Sequence, residues 1–201
     1  MNELLANIWK GIIATSYLEW FAVITGIIYV ILAAKSKISC WIFALMSSAA
    51  YVYLCFFANL YLETVLQLFY FVMGIIGWVL WNRPKEEVTV RTWGIKWNLL
   101  NIVLSGIATI VLGYIFKTHT AQVYPYLDAF IFSFCLSATF MITKKVHEGW
   151  IYLIIIDIFS IYLYAGRDLY LSAGLYLIFT GIAVFGWMEW WNIFRMKRVT
   201  V

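Results

Sequence analysis

Residues 60–81 read LYLETVLQLFYFVMGIIGWVLW, and residues 169–190 read LYLSAGLYLIFTGIAVFGWMEW. The two stretches align without a gap at an offset of 109 residues, and the same offset continues back to Phe21 and Phe130. Three pairs of tryptophans coincide under this offset: Trp41 with Trp150, Trp78 with Trp187, and Trp81 with Trp190. Chance alone would give roughly 0.2 such pairs. The chain is therefore an internal duplication, in which each residue of one half has a mate in the other.

The composition excludes a soluble globular domain. Of the 201 residues, 65% are hydrophobic and only 12% are charged, whereas soluble domains carry about 25% charged residues. Apolar stretches of 16 to 22 residues recur along the chain, and each is long enough to cross a hydrocarbon core about 30 Å thick. Because no water is present there to satisfy backbone groups, such stretches form helices. The sequence predicts an all-α integral membrane protein.

We predict seven transmembrane helices in a 3+1+3 parallel duplication, with an unpaired fourth helix between two halves that enter the membrane in the same direction. The predicted helices cover residues 19–34, 39–57, 62–81, 98–116, 127–143, 149–165 and 170–191. The corresponding domains are a first repeat, a linker helix and a second repeat, at residues 18–83, 97–117 and 126–192. Residues 1–17 are weakly amphipathic and are predicted to lie in the membrane interface; they lack the pattern of a cleaved signal peptide.

Basic residues are distributed unevenly between the two ends of the predicted helices. Three Lys or Arg residues lie at the end that carries the N-terminus, and eleven lie at the other end. All are in short loops or tails, where the positive-inside rule applies. We expect the N-terminus to be outside and the C-terminus to be cytoplasmic.

No metal, cofactor or catalytic site is predicted. The three cysteines are scattered through apolar segments and form no CxxC pair, which disfavours a disulfide or a thiolate metal site. His119 and His147 lie in loops at opposite ends of the helices, and no nucleophile–base pair occurs at a common depth. The net charge of +4 is spread over short membrane loops, so a nucleic-acid partner is not expected.

An ionisable group near the middle of a bilayer costs at least about 2.5 kcal/mol, which makes it a functional candidate. Asp157 lies at the centre of the sixth predicted helix between isoleucines, and its mate in the second helix is Ser48. We predict that both residues contact a substrate. The alternative is a buried carboxylate that is hydrogen-bonded to a neighbouring helix and holds the bundle together.

The fourth predicted helix carries one polar stripe at helical spacing, formed by Asn98, Asn101, Ser105 and Thr109. Because this helix is unpaired, we expect it to pack between the halves and to line a central cavity, which makes Asn101 a predicted substrate contact. The alternative is that the stripe forms hydrogen bonds between helices.

The third and seventh predicted helices carry stripes related by the duplication, which are predicted to face each other across the axis between the halves. The stripes are Gln67, Phe71, Gly74, Trp78 and Trp81, and Tyr176, Thr180, Ala183, Trp187 and Trp190. The predicted substrate contacts among them are Gln67, Trp78, Tyr176, Thr180, Trp187 and Trp190. For a tryptophan near a helix end, the alternative is an anchor at the membrane interface.

The repeated stretch, the sequence MITKKVHEGW at residues 141–150 and the 3+1+3 layout resemble the PnuC family of bacterial vitamin transporters, over about residues 18–192. This resemblance implies a SWEET-like fold and facilitated uptake of nicotinamide riboside, an NAD precursor, across the bacterial inner membrane. It also implies a homotrimer in contact with membrane lipid, and a cytoplasmic kinase that traps the product. The matched positions suggest substrate contacts at Gln67, Asp157, Trp187, Trp190 and Asn192.

Asp157 stands where this family often has asparagine, which leaves thiamine or a related cationic vitamin as an alternative substrate. Both vitamins carry a cationic ring, which aromatic faces attract by about 0.5–2 kcal/mol. A seven-helix sensor is a weaker hypothesis, because the loops are short and the last helix has no lysine for retinal. An intramembrane enzyme is weaker still, because no catalytic set is present.

Overall fold

The computed structural model describes residues 16–58, 61–83, 89–120, 123–167 and 169–199. Within these ranges it contains seven α-helices: α1 (Tyr17–Ala34), α2 (Cys40–Phe57), α3 (Tyr61–Trp81), α4 (Ile95–His119), α5 (Pro125–Thr143), α6 (Gly149–Ala165) and α7 (Tyr170–Val199). Six of them are long and apolar enough to cross a membrane. The 17-residue α6 is apolar and about 26 Å long. The all-α, seven-helix architecture is confirmed. The interfacial segment predicted for residues 1–17 falls almost entirely outside the described residues.

Two helices are longer than the sequence predicts. α4 has 25 residues, and α7 has 30 residues and continues eight positions beyond Trp191. The segment after Trp191 contains Arg, Lys and Met, which favour helix, and it contains no glycine or proline that would end the helix. The predicted end of this helix at residue 191 was therefore eight residues too early.

Six of the helices form a closed ring with two-fold pseudosymmetry. α1 packs against α2 and α2 against α3, and the mates α5, α6 and α7 pack in the same order. α1 against α7 and α3 against α5 close the ring, and these two contacts are equivalent under the duplication. Among the described helices, α4 packs along α5 alone. The expectation that the fourth helix packs between the halves is wrong, because α4 lies outside the ring.

The turns after α1 and α5 have the same geometry. Ser36 and its mate Lys145 have φ angles of 53° and 55°, in the left-handed region that non-glycine residues rarely adopt. The Ser36 amide donates to Ala33 O at 2.8 Å, and the Lys145 amide donates to Ile142 O at 2.9 Å. A left-handed residue just after a helix places backbone amides where they can donate to the last carbonyls of that helix. Both turns therefore reverse the chain in the same way.

Each half also contains a close approach between a glycine and a tryptophan ring. Gly77 of α3 faces Trp41 of α2, and Gly186 of α7 faces Trp150 of α6. A Cβ atom at either glycine would lie less than 3.0 Å from ring carbons. Both rings are buried, with 1% of their surface exposed. Only glycine allows the two helix backbones to approach in this way.

Gly77→Ala and Gly186→Ala should each lower the melting temperature of the detergent-solubilised protein, because the added methyl group overlaps a ring that cannot move away. Overpacking of this kind costs about 1–3 kcal/mol. Gly181→Ala is the matched control, because nothing lies within 4 Å of its Cβ position in α7. Alanine favours helix over glycine, so the control should be unchanged or more stable. Equal losses for all three variants would contradict the close approach.

Candidate functional site

Most of the basic residues lie at the end of the bundle where α1, α3, α5 and α7 stop and α2, α4 and α6 begin, and we call this the basic end. Four buried tryptophans fill the ring there: Trp41, Trp81, Trp150 and Trp190. The rings of Trp81 and Trp190 meet between the halves, with centroids 5.9 Å apart. Trp41 packs edge-on against Trp81 at 5.2 Å and 85°, and Trp150 packs against Trp190 at 5.5 Å and 88°. We call these four residues the tryptophan layer.

Hydrogen bonds of the tryptophan layer cross from one half to the other. The Trp81 indole N–H donates to the Thr143 carbonyl at the end of α5, at 3.0 Å. The Trp190 indole N–H donates to the Ala33 carbonyl near the end of α1, at 3.1 Å. Each half therefore supplies the donor for a buried carbonyl of the other half, which ties the halves together at the basic end.

Asp157 lies deeper in the ring, below the tryptophan layer. It follows Trp150 by seven residues, which is two helical turns and about 10.5 Å, so it shares the face of α6 that Trp150 presents to the layer. Asp157 is 6% exposed. Within the described residues, no hydrogen bond or opposite charge compensates its carboxylate. Its mate Ser48 is also buried but is satisfied locally, because its hydroxyl donates to Ala44 O at 2.7 Å.

Two other helices place polar side chains within electrostatic range of this carboxylate, and a third helix contributes a residue that interacts with one of them. Asp157 lies close enough to Cys135 of α5 and Tyr176 of α7 to act on both groups electrostatically. Cys135 in turn interacts with the hydroxyl of Tyr70, on α3. The Tyr176 ring stacks on Tyr164, with centroids 5.2 Å apart and planes 14° apart. We call Tyr70, Cys135, Asp157 and Tyr176 the central polar site, because four ring helices contribute one residue each.

The structure changes two of the five positions in each predicted stripe, each by one residue. Gly77 contacts the Trp41 ring and Trp81 bonds to the opposite half, so both residues lie on the inward face of α3. Other residues on this face follow at steps of three or four positions along the helix. That face contains Gln67, Tyr70, Gly74, Gly77 and Trp81, and the matching face of α7 contains Tyr176, Phe179, Ala183, Gly186 and Trp190. Gln67, Tyr176 and Trp190 are thus on the inward faces. Thr180 is half-buried, and its hydroxyl donates to Tyr176 O at 2.8 Å.

Trp78 and Trp187 lie away from the inward faces. Trp78 lines an apolar groove of about 400 Å³ between α2 and α3, together with exposed residues such as Ile42 and Val79. Trp187, at the mate position, is 36% exposed. The prediction that these two tryptophans face each other across the axis is wrong, because each is one residue, or about 100°, away from the inward glycine. Their contact with a substrate stays a prediction.

Two further predicted contacts lie outside the ring interior. Asn192 is exposed, and it follows Trp190 by two residues, which places it about 200° around α7. Asn101 of α4 donates to the Ser137 hydroxyl of α5 at 2.5 Å. Asn98 at the start of α4 donates to the Glu148 carboxylate at 3.3 Å. Asn98 and Asn101 thus bond to the second half, and the interpretation that α4 lines a cavity between the halves is wrong, because α4 packs outside the ring.

Glu148 connects the start of α4 to α6. Its carboxylate accepts from the Trp93 amide at 3.0 Å as well as from Asn98. Burial raises the pKa of Glu148, but the His147 ring 3.1 Å away and the hydrogen bond from Asn98 outweigh burial and hold the pKa below its ordinary value. The carboxylate is therefore ionised at neutral pH. At the opposite end of the ring, Asp128 forms a 2.6 Å ion pair with Arg167.

Sequence reasoning missed Tyr70 and Cys135. Tyr70 was passed over because both Tyr70 and Phe71 are compatible with a helical stripe through Gln67. Cys135 could not be singled out from the sequence, because a lone cysteine in an apolar segment matches no disulfide or metal-binding motif. The contact between Gly77 and Trp41 would have distinguished the two stripes, because it determines how α3 is rotated. Among the described residues, no cluster of His, Cys, Asp or Glu could hold a metal ion.

Comparisons with known proteins agree with this architecture. The model of a family described as nicotinamide mononucleotide transporter matches residues 16–192. The chain is 26% identical to the nicotinamide riboside transporter PnuC of Escherichia coli, over 90% of this chain and 88% of that protein. It is 22% identical to the riboflavin/roseoflavin transporter RibM of Streptomyces davaonensis, over 84% of this chain and 81% of that protein.

A solved structure shares the fold. A crystal structure of the vitamin B3 transporter PnuC matches with a TM-score of 0.73 and 24% identity, over 96% of this chain and 90% of that chain. The likeness extends over nearly all of both chains, so the ring and the outer helix α4 belong to one shared architecture.

The indole N–H groups of the tryptophan layer should contribute unequally to stability. Trp81→Phe removes the donor to Thr143 O, and leaving a buried carbonyl without its donor costs about 1–3 kcal/mol. Trp41→Phe is the matched control, because the buried Trp41 Nε1 has no partner among the described residues. Both variants lose the same ring volume. Unfolding of the purified protein should therefore occur at lower temperature in Trp81→Phe than in Trp41→Phe; the reverse order would contradict the crossing hydrogen bond.

Proposed function

This chain belongs to the nicotinamide mononucleotide transporter family, and from that premise we propose that it carries nicotinamide riboside across the membrane by facilitated diffusion. It is a multi-pass membrane transporter and not an enzyme. The resemblance to PnuC transporters, expected from the repeated stretch and the layout of the helices, is confirmed. The identity of the carried molecule is inferred from the relatives together with the chemistry of the central polar site.

The observation that carries this proposal is the uncompensated carboxylate of Asp157. A buried charge without a partner is strongly unfavourable, and nicotinamide riboside bears a pyridinium cation that would compensate it. Tyr176 lies within electrostatic range of the carboxylate, and Tyr70 interacts with Cys135, which is also within that range. Aromatic faces attract a cationic ring. A neutral vitamin such as riboflavin would leave the charge of Asp157 unopposed.

Thiamine is the second candidate substrate, and the same observation favours it. Its thiazolium ring is also cationic and would meet the same carboxylate. The relative named as a riboflavin/roseoflavin transporter indicates that this fold serves more than one vitamin. The substrate is therefore decided by side chains of the interior and not by the fold.

We propose alternating access for the transport step. The central polar site lies between the two halves, where transporters built from repeats bind their substrates. The tryptophan layer fills the ring at the basic end, so a substrate can leave there only when the two halves separate. That movement must break or shift the bonds from Trp81 to Thr143 O and from Trp190 to Ala33 O.

The remaining assignments follow the family resemblance: a homotrimer in the bacterial inner membrane, and a cytoplasmic kinase that traps the product.

Asp157→Asn should weaken binding of a cationic ligand by about 10- to 100-fold, because a charge-assisted interaction contributes about 1.5–3 kcal/mol. A neutral ligand of the same size should bind almost equally to both proteins. Calorimetry with nicotinamide riboside and with its reduced, uncharged form provides the comparison.

Ser48→Ala is the control for this experiment, because Ser48 is the mate of Asp157 and bonds only to its own helix. It should change the affinity for either ligand by less than about twofold. If Asp157→Asn weakens the cationic and neutral ligands equally, the carboxylate is structural and the proposed recognition fails.

Transport should not be driven by a proton gradient. Proton-coupled carriers relay protons along chains of Asp, Glu or His in the membrane, whereas Asp157 has no such neighbour among the described residues. Proteoliposomes loaded with buffer should take up labelled nicotinamide riboside only until the inside and outside concentrations are equal. Accumulation above that point under an imposed pH gradient would identify Asp157 as a coupling site.

The C-terminus should be cytoplasmic, because eleven of the fourteen Lys and Arg residues lie at the basic end. A reporter that is active only in the cytoplasm should function when it is fused after Val201. A reporter that is active only outside the membrane should not, and the opposite pair of results would reverse the orientation.

A further inference from the structure

A basic pocket lies at the basic end, beside the tryptophan layer. It has a volume of about 240 Å³ and lies between the end of α3, the segment before α4 and the turn after α5. Four cationic residues line it: Arg83, Arg91, Lys144 and Lys145. No carboxylate is among the described residues that line it. We call these four residues and the space between them the basic pocket.

Two of the cations are held in place by the backbone. The Arg91 amide donates to Lys145 O at 3.0 Å, and the Arg91 Nε donates to Lys144 O at 3.0 Å. This leaves the terminal guanidinium nitrogens of Arg91 without a partner among the described residues. Lys145 is in the left-handed turn, and its ammonium lies 4.3 Å from the centre of the Trp81 ring. Burial lowers the pKa of Lys145, so its charge is incompletely stabilised.

The positive charge of the pocket has no counter-ion in the part of the chain that the structure describes. Only two ion pairs occur there, His147 with Glu148 and Arg167 with Asp128. Neither includes a residue of the basic pocket. Cations that line one pocket repel one another, so the arrangement favours a bound anion.

The duplication shows that the shared scaffold does not account for this charge. The mates of Arg83 and Lys145 are the uncharged residues Asn192 and Ser36, and the mate of the lining residue Leu80 is the acidic Glu189. Only Lys144 has a basic mate, Lys35. The general excess of basic residues at this end would place cations in both halves. The four cations instead gather at one of the two junctions between the halves, where the end of α3 meets the turn after α5.

We propose that the basic pocket binds a phosphate group, supplied either by the headgroup of an anionic phospholipid or by a soluble phosphate ester. Guanidinium groups present paired N–H donors that match phosphate oxygens, and lysines add point charges. The volume of about 240 Å³ equals that of about eight water molecules at about 30 Å³ each. It accommodates a phosphate and a few attached atoms. Trp81 lines both the pocket and the tryptophan layer, so a bound phosphate lies next to the filled end of the ring.

The first test measures binding of inorganic phosphate to the purified full-length protein by calorimetry, at constant ionic strength. The double variant Arg83→Gln/Lys144→Gln removes the cations that the backbone does not hold, so it should fold normally. We expect it to weaken phosphate binding at least about tenfold, since each charged hydrogen bond contributes substantially. Lys35→Gln removes the same charge from the mate of Lys144 and should change the affinity less than about twofold. An equal loss in Lys35→Gln would mean diffuse surface attraction and would overturn the proposal.

The second test distinguishes the two sources of phosphate. The protein is placed in nanodiscs of phosphatidylcholine alone or of phosphatidylcholine with phosphatidylglycerol, and ribose 5-phosphate is titrated into each. A lipid site predicts that phosphatidylglycerol is retained in native mass spectra, that ribose 5-phosphate binds less tightly in its presence, and that the double variant loses the lipid. A soluble-ligand site predicts equal binding of ribose 5-phosphate in both membranes. Failure of inorganic phosphate, ribose 5-phosphate and phosphatidylglycerol to bind specifically would refute the site. These readouts measure binding only, so they are independent of which vitamin is carried.

Discussion

The arrangement of the ring depends on two positions where a side chain is absent. Gly77 and Gly186 let the backbones of α3 and α7 rest against the rings of Trp41 and Trp150. In a membrane, where apolar burial does not drive helices together, association relies on close packing of this kind. The contact also determines the rotation of α3 and α7 about their own axes. Once Gly77 faces Trp41, Tyr70 must face inward and Trp78 must face the outer groove.

Within this shared scaffold, the chemistry of the two halves has diverged. Asp157 and Ser48 occupy mate positions at the same depth, but only Asp157 brings an ionisable group, and it has no hydrogen bond or opposite charge among the described residues. Gln67 and Tyr176 are likewise mates on inward faces, one an amide and the other an aromatic ring. Duplication therefore supplies two equivalent inward helix faces, and different side chains at mate positions make the space between these faces asymmetric. An asymmetric space is what an asymmetric ligand with one cationic ring requires.

The sequence predicted the large-scale features because they follow from solvation and from the repeat. Helix α6 was predicted at residues 149–165, as observed, since its apolar run is bounded by Gly149 and Gly166. Rotation about a helix axis was not predictable, because stripes through Tyr70 or Phe71 satisfy the same spacing. The position of α4 was missed for a related reason. A stripe containing Asn98 and Asn101 looks the same whether it faces a cavity or hydrogen-bonds a neighbouring helix.

The crossing bonds of Trp81 and Trp190 bear on how such a chain could have arisen. Each indole N–H donates to a carbonyl of the opposite half. A single half on its own would therefore leave one indole N–H and one carbonyl at this end without a hydrogen-bond partner. Two separate copies related by a two-fold axis would satisfy both through a self-complementary interface. A single-repeat ancestor could thus have worked as a homodimer with the same tryptophan contacts. Gene fusion then needed only one extra membrane crossing to keep both copies in the same direction, and α4, which packs outside the ring, supplies that crossing.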